Sequence, residues 1–333
     1  MTRVVFTCGD VNGIGPEIAV KAFSKIYSKK NNHQLIFVCP KNVFEYYYKI
    51  TKVSFNYQIV TDPTFSTSQL NVIPLTNNKI KLGYPTKVSG EIAFNSIKKS
   101  LELSDHNFAD VLVTAPISKE AFNLAKLNFP GHTELLAKHE NTNNYLMLFL
   151  SEKIKAGLLT IHSPINKVSK LISKEKIVKA INLLNLTAKR DLKIKNPKIA
   201  VLGLNPHAGE KGLIGNEEIS IIEPVIKSLQ KNINVYGPFV PDAFWGNKSY
   251  KKFDMILGMY HDQVLVPFKL LNFNSGVNFT AGLKLIRTSP DHGTAYDITG
   301  MNKADESSIL QSYKYAINIF QNRNRSFAES KSN

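Results

Sequence analysis

Three histidines each follow a short apolar run: His162 in LLTIHSP, His207 in LGLNPHAGE and His261 in MILGMYHDQ. One such histidine is ordinarily a satisfied, partly buried side chain. Three of them, each beside turn or polar residues, allow a different chemistry. Neutral imidazoles suit Zn²⁺ or a similar divalent ion that keeps a position open for substrate. None of the three is close to another in sequence, so spacing alone leaves both readings standing.

A second set of residues has the chemistry of anion binding. His132 and Thr133 lie in FPGHTELLA, where Gly131 can release the chain into a helix opened by Thr133. A histidine and a hydroxyl at a helix N-terminus can hold phosphate or carboxylate. A capped helix with an exposed histidine is the plainer alternative. Downstream, Lys269 follows the strand-like VLVPF and Arg287 the strand-like GLKLI, with Asn278 between them. Cationic side chains at strand ends clamp phosphates and carboxylates.

Two loops have cofactor-like compositions. GDVNGIGPE, with Gly13 and Gly15, follows one strand and precedes a helix. Backbone N–H groups at such a helix start can face an anion, although the spacing is not the dinucleotide pattern G-x-G-x-x-G and a structural turn also accounts for it. DHGTAYD, with His292, Gly293, Thr294 and Asp297, can hold a ribose or be an ordinary surface turn.

These residues need elements to position them. Apolar runs predict strands over 3–8, 34–39, 71–74, 110–114, 145–150, 155–161, 198–202 and 255–258. Amphipathic spacing predicts helices over 15–26, 90–104, 118–123, 174–184, 216–230 and 307–321, with Ile92, Ile97 and Leu101 or Ile219, Ile222, Val225, Ile226 and Leu229 as core faces. Strands alternating with helices of this length predict an α/β protein with a largely parallel core. In such sheets, sites assemble at the carboxyl ends of strands. Pro130–Gly131 and the stretch 276–282 mark crossings between two lobes, and the polar tail NRNRSFAESKSN is expected to fray.

Composition narrows the class. With 333 residues, 43% of them hydrophobic, the chain can bury a substantial core and suits two domains. No run approaches the roughly 18 apolar residues of a membrane span, and the N-terminus lacks a signal-peptide pattern. Cys8 and Cys39 read as buried reduced thiols, which predicts a cytoplasmic location. The net charge of +16 raises nonspecific affinity for nucleic acid, but the lysines are scattered and no stretch alternates basic with aromatic residues. A solvated surface is the simpler reading, and a local anion site is compatible with it.

Taken together, GDVNGIGPE, VTAPISK, FPGHTELLA, LGLNPHAGE, IGNEE, GPFVPDAFW, MYHDQ, GVNFTAGL and RTSPDHGTAYDITG resemble the 4-hydroxythreonine-4-phosphate dehydrogenase family of the pyridoxal-phosphate pathway. The resemblance runs from residue 9 to about residue 300. It implies the two-lobed isocitrate/isopropylmalate dehydrogenase type of α/β fold, with residues 1–130 and 280–333 in one lobe and 131–279 in the other. It also implies a homodimer whose active site lies at the subunit interface.

Carried over motif by motif, the divalent-metal ligands (Zn, Mg or Co) fall on His162, His207 and His261, shared between subunits. Substrate contacts fall on His132, Thr133, Lys269, Asn278 and Arg287. The NAD or NADP loops fall on Gly13 and Gly15, then on His292, Gly293, Thr294 and Asp297. The implied reaction oxidises 4-phosphohydroxy-L-threonine, with Lys269 and Asp262 as candidate general bases and Glu210 and Asp262 as acids able to fix imidazole tautomers. Cys8, Val11, Asn12, Lys211 and Val264 depart from the family's usual Pro, Pro, Ala, Gly and Gly. Rival readings are a dehydrogenase of threonate or erythronate phosphates, a phosphate acyltransferase, and a nonenzymatic nucleic-acid binder.

Overall fold

The computed structural model describes residues 1–28, 33–61, 70–127, 129 and 131–331, with side chains in the last helix as far as 325. Pro130, expected at a lobe crossing, lies outside these residues. The chain divides into two compact units, residues 1–140 with 284–320 and residues 141–283 with 321–333. The division places His132 and Thr133 in the first unit, whereas a break at 130 assigns them to the second.

In the first unit the strands are β1 (Thr2–Thr7), β2 (His33–Pro40), β3 (Tyr57–Ile59), β4 (Leu70–Leu75), β5 (Val111–Val113) and the returning β12 (Ile286–Pro290). They pair in the order β3-β4-β2-β1-β5-β12, every pairing parallel. Parallel strands covered on both faces are apolar along their whole length rather than in alternation. Val4, Val5, Phe6, Leu35, Ile36, Phe37 and Val38 are all fully buried, as that rule requires. The connecting helices are α1 (Gly15–Tyr27), α2 (Lys41–Ile50), α3 (Lys87–Asp105), α4 (Lys119–Leu124) and α5 (His132–His139). Phe23 of α1 packs edge-on against Phe6 at 4.9 Å and Phe37 at 5.2 Å. Helix α3 starts where Thr86 and Ser89 form a reciprocal cap.

The second unit holds β6 (Leu146–Leu150), β7 (Lys155–Leu158), β8 (Lys198–Leu202), β9 (Asn234–Phe239), β10 (Met255–Gly258) and β11 (Val277–Ala281). Their order is β11-β6-β7-β10-β8-β9. The pairings of β6 with β11 and with β7 are antiparallel and the others parallel. Around them lie α6 (Ile165–Leu171), α7 (Lys174–Leu186), α8 (Glu223–Leu229), α9 (Pro241–Gly246) and α10 (His261–Asn272). Helix α11 (Ser307–Lys331) closes the chain.

Several expectations give way here. VLVPF before Lys269 is not a strand but the middle of α10. Val264, Leu265 and Phe268 recur at helical spacing and bury into the core with Phe149, Leu158, Leu202 and Ile256. Pro267 inside that helix lacks the N–H that would meet the carbonyl of Gln263, and the Trp245 indole donates to that carbonyl at 3.1 Å instead. The GLKLI run is a turn that enters β12 only at Ile286, so Arg287 lies inside a strand rather than at its end.

The stretch 276–282 contains β11, with Gly282 at φ +93 against the carbonyl of Asn144. The run 216–230 splits into a π-helical turn, Glu218–Ile222, followed by α8. The tail does not fray at residue 322. Arg323 donates to both carboxylate oxygens of the fully buried Asp191, at 2.9 and 3.1 Å, and the helix continues through Lys331.

Candidate active site

In the second unit, β7, β10 and β8 are adjacent and parallel, so their carboxyl ends face the same way. His162 lies four residues beyond the end of β7, His261 opens α10 after β10, and His207 stands in the turn that follows β8. The imidazoles of His162 and His261 lie 6.3 Å apart, centroid to centroid. His261 Nδ1–H donates to Asp262 Oδ1 at 2.7 Å, which leaves the lone pair of Nε2 available on that ring. Hydrogen bonds tie the three turns together. Thr160 Oγ1 donates to the carbonyl of Met259 at 2.7 Å, and Gln263 accepts from Met259 N and donates to the carbonyl of Gly203, both at 2.7 Å.

The turn carrying His207 has an unusual backbone. Residues His207, Ala208, Gly209, Glu210 and Lys211 all have φ between +44 and +80. Left-handed backbone costs an L-residue roughly 1–2 kcal/mol, so the four that flank Gly209 here persist only where the surroundings hold them.

The donor set fits a divalent ion in part. Two imidazoles are within reach of a common ion, yet among the described residues no group of three His, Cys, Asp or Glu side chains is close enough to hold one. His162 and His207 are exposed, and no described contact joins Glu210 to a histidine. Lys269 sits exposed in the last turn of α10 and Asn278 is half-buried in β11.

The first unit builds a different kind of site. Arg287 runs beside Leu112 in the pairing of β12 with β5 and is 2% exposed. Its Nε donates to Thr114 Oγ1 at 2.9 Å. Burial lowers its pKa to about 9, partly offset by Glu134, so the guanidinium remains charged at neutral pH. His132, the first residue of α5, is 9% exposed, and its Nε2 has no hydrogen-bond partner. Burial, and then the charge of Arg287, hold that imidazole well below its ordinary pKa. Thr133 beside it is also buried. A charged fork and an unpartnered imidazole nitrogen, both out of water, make a preformed place for an anionic group.

The two loops with cofactor-like composition meet in this unit. Ile14 N donates to the carbonyl of Thr294 at 2.9 Å, and a Cβ on Gly13 would stand 2.8 Å from that same oxygen. Gly15 likewise has its bare face against the carbonyl of Cys8. Asp10, fully buried, accepts from Asn12 N at 2.9 Å, Tyr296 Oη at 2.8 Å and Ser89 Oγ at 3.1 Å. Burial raises its pKa despite those bonds. The N–H groups of Asn12 and Gly13 are thus used on Asp10 within their own loop, and that of Ile14 joins the two loops. His292, Gly293, Thr294 and Asp297 lie along the second loop, with Gly293 and Asp297 exposed.

Comparison with known proteins places the chain in a family. The family described as "Pyridoxal phosphate biosynthetic protein PdxA" matches residues 30–316. The chain belongs to this family. A 4-hydroxythreonine-4-phosphate dehydrogenase of Bacteroides thetaiotaomicron is 40% identical over 97% of this chain and 90% of its own length. A D-threonate 4-phosphate dehydrogenase of Salmonella typhimurium is 37% identical, over 95% of this chain and 98% of its own. The crystal structure of a Klebsiella pneumoniae 4-hydroxythreonine-4-phosphate dehydrogenase superposes with a TM-score of 0.82. It is 34% identical and covers 96% of this chain and 98% of that one. The α/β fold is therefore that of the PdxA proteins.

Of the positions read as departures from the family pattern, Asn12 and Val264 have structural accounts. Asn12 donates to the Tyr84 carbonyl and Thr86 Oγ1 and accepts from Lys81 N, fastening the segment before α3. Val264 is accommodated because Gly258 has no Cβ, which would stand 2.3 Å from Val264 Cγ2. Lys211 holds a left-handed backbone where glycine is the easier choice. Asp10, Gln263, Tyr296 and Glu218 are organising residues that motif reading passed over. Their signal was a polar side chain inside an otherwise apolar or glycine-rich motif.

Proposed function

We propose that this PdxA-family chain oxidises 4-phosphohydroxy-L-threonine with NAD⁺ or NADP⁺ to 2-amino-3-oxo-4-phosphooxybutanoate, which then loses CO₂ to give 3-amino-2-oxopropyl phosphate. The observation that carries this reading is the buried Arg287 beside His132 with its unpartnered Nε2. The pair suits an anionic end of such a substrate, with Thr133 as a hydroxyl contact. In the reaction the hydrogen on C3 leaves with its electron pair to the nicotinamide, and the C3 hydroxyl proton leaves to a base. The carboxylate then leaves as CO₂ from the carbon next to the new ketone, and a proton takes its place.

His162, His207 and His261 are the residues that would hold a divalent ion, in a set completed between two copies of the chain. When bound, the ion supplies polarisation of the oxygen on the reacting carbon. Asp262 orients His261. Lys269 and Asp262 remain the candidates for the base, and the pH profiles of Lys269→Met and Asp262→Asn separate them.

Homodimerisation is supported by the apolar stripe of Val266 and Leu270 on α10 and Phe273 just after it, 55%, 81% and 77% exposed. The free thiols of Cys8 and Cys39, both buried, support a cytoplasmic location, and among the described residues no helix is long and apolar enough to cross a membrane.

A second reading, oxidation of D-threonate 4-phosphate, is favoured by the similarly close Salmonella relative. NADH production from each substrate, with and without chelator and added Zn²⁺, Mg²⁺ or Co²⁺, decides between them. The primary reading requires turnover of 4-phosphohydroxy-L-threonine that chelator abolishes. Turnover of only the threonate phosphate transfers the assignment to the second.

A further inference from the structure

The acid that matters for His207 is not the one nearest to it in sequence. Glu210 lies on the same turn, is exposed, and has no described contact with a histidine. Glu218, eight residues later, is 1% exposed and lies at the start of the π-helical turn. Its Oε1 accepts from Leu204 N at 2.7 Å and from Asn205 N at 2.8 Å, and its Oε2 accepts from Asn205 Nδ2 at 2.9 Å. These are the residues through which the chain leaves β8 and enters the left-handed turn.

The turn also packs directly onto this carboxylate. A Cβ on Gly209 would stand 2.7 Å from Glu218 Oε2 and 2.7 Å from the carbonyl of Gly215, and one on Gly203 would stand 3.2 Å from Glu218 Oε1. Glycine at both positions lets the backbone close over the acid. A carboxylate with three N–H donors fixes the entry to the turn, and that contact over-determines a backbone that five left-handed residues would otherwise relax. π-helical turns recur where a side chain must be placed for function.

We propose that Glu218 is a positioning residue that holds the left-handed turn of residues 207–211 and thereby sets where the His207 imidazole points. The proposal rests on reading His207 as a metal ligand. Its consequence is measurable without turnover: loss of the Glu218 carboxylate weakens metal binding although Glu218 touches no metal.

The test uses the full-length protein stripped of metal, with Co²⁺ as the probe. Affinity is measured by calorimetric titration and coordination by the visible Co²⁺ spectrum, both well below the melting temperature of each variant. Glu218→Gln should weaken Co²⁺ binding about 10- to 100-fold, the range for losing a residue that orients a ligand, and should alter the spectrum. Glu218→Asp should recover part of the loss. Glu217→Gln, which removes only an acceptor for Asn205 Nδ2, should bind as wild type.

His207→Ala is the arm that separates the two readings. If His207→Ala loses affinity and Glu218→Gln does not, the positioning role is overturned and the ligand reading survives. If His207→Ala binds Co²⁺ as wild type, the ligand reading fails and takes the proposal with it. Should Glu218→Gln not fold, Gly209→Ala disturbs the same contact from the other side, and wild-type affinity in that variant overturns the proposal.

Discussion

Arg287 and His132 are 2% and 9% exposed, whereas His162 and His207 are exposed and the His261 side chain is 44% exposed. The two regions differ in how they are prepared. In the first unit a cation and an imidazole nitrogen are already out of water within one chain, and on the proposed reading an anionic ligand would offset what that burial costs. The second unit's histidine edge is laid out but left open, with two rings near each other and the third on a separate turn. A site completed by one chain can bind part of a substrate alone. If, as proposed, the histidine edge is completed by a second copy, its chemistry is tied to assembly.

The largest effect should come from Arg287→Met. Loss of a buried charged hydrogen-bonding partner costs a ligand about 2–5 kcal/mol, so kcat/KM should fall roughly 30- to 4,000-fold. The ligand-free protein should melt close to wild type, because the lost Thr114 hydrogen bond and Glu134 attraction are set against relief of a charge whose burial those partners offset only in part. A large drop in melting temperature would make Arg287 a structural residue and erase the contrast between the two regions.

His261→Ala tests the open edge. Turnover in added Co²⁺ should fall more than about 100-fold, beyond the range for losing an orienting neighbour. The circular dichroism spectrum should not change, since the ring is partly exposed and carries no core packing. Leu270→Glu with Phe273→Glu then separates the two regions. Sedimentation should show a monomer with activity reduced at least about 10-fold, while binding of inorganic phosphate at the Arg287 pocket stays close to wild type. A fully active monomer would show that the edge needs no partner.

The smallest effect concerns pH. The folded-state pKa of His132 lies well below its unfolded value of about 6.5. Between those two values the unfolded chain binds the proton and the folded chain does not, so stability falls as pH drops below about 6.5. A single group contributes at most about 1.4 kcal/mol per pH unit. Urea midpoints of wild type and His132→Asn between pH 7 and 5 should therefore diverge, with the variant less sensitive to acid. Parallel curves would place His132 in contact with solvent.

Much of the architecture was legible along the chain. Runs such as VVF and LIFVC could only be buried strands, and β8 and β10 fall on the predicted residues 198–202 and 255–258. The misread places were those where long-range packing overrode local preference. VLVPF has β-branched residues and a proline, yet α10 forms because one face fits the core and Trp245 satisfies the carbonyl that Pro267 strands. The tail is polar and still helical because Asp191, 132 residues away from Arg323, meets its guanidinium.

The amino-acid sequence by itself determined which chemistries were on hand: three histidines after apolar runs, cations near anion-type turns, and motifs that point to the PdxA family. Side-chain type and local periodicity carry that information, because both act over a few residues. The tertiary structure alone decided that β7, β10 and β8 are neighbours, that Arg287 is buried beside His132, and that the Glu218 carboxylate accepts from the backbone leading into the turn of His207. Strand order, burial and the closure of a carboxylate by distant N–H groups depend on contacts between residues far apart in the chain, and no local pattern encodes them.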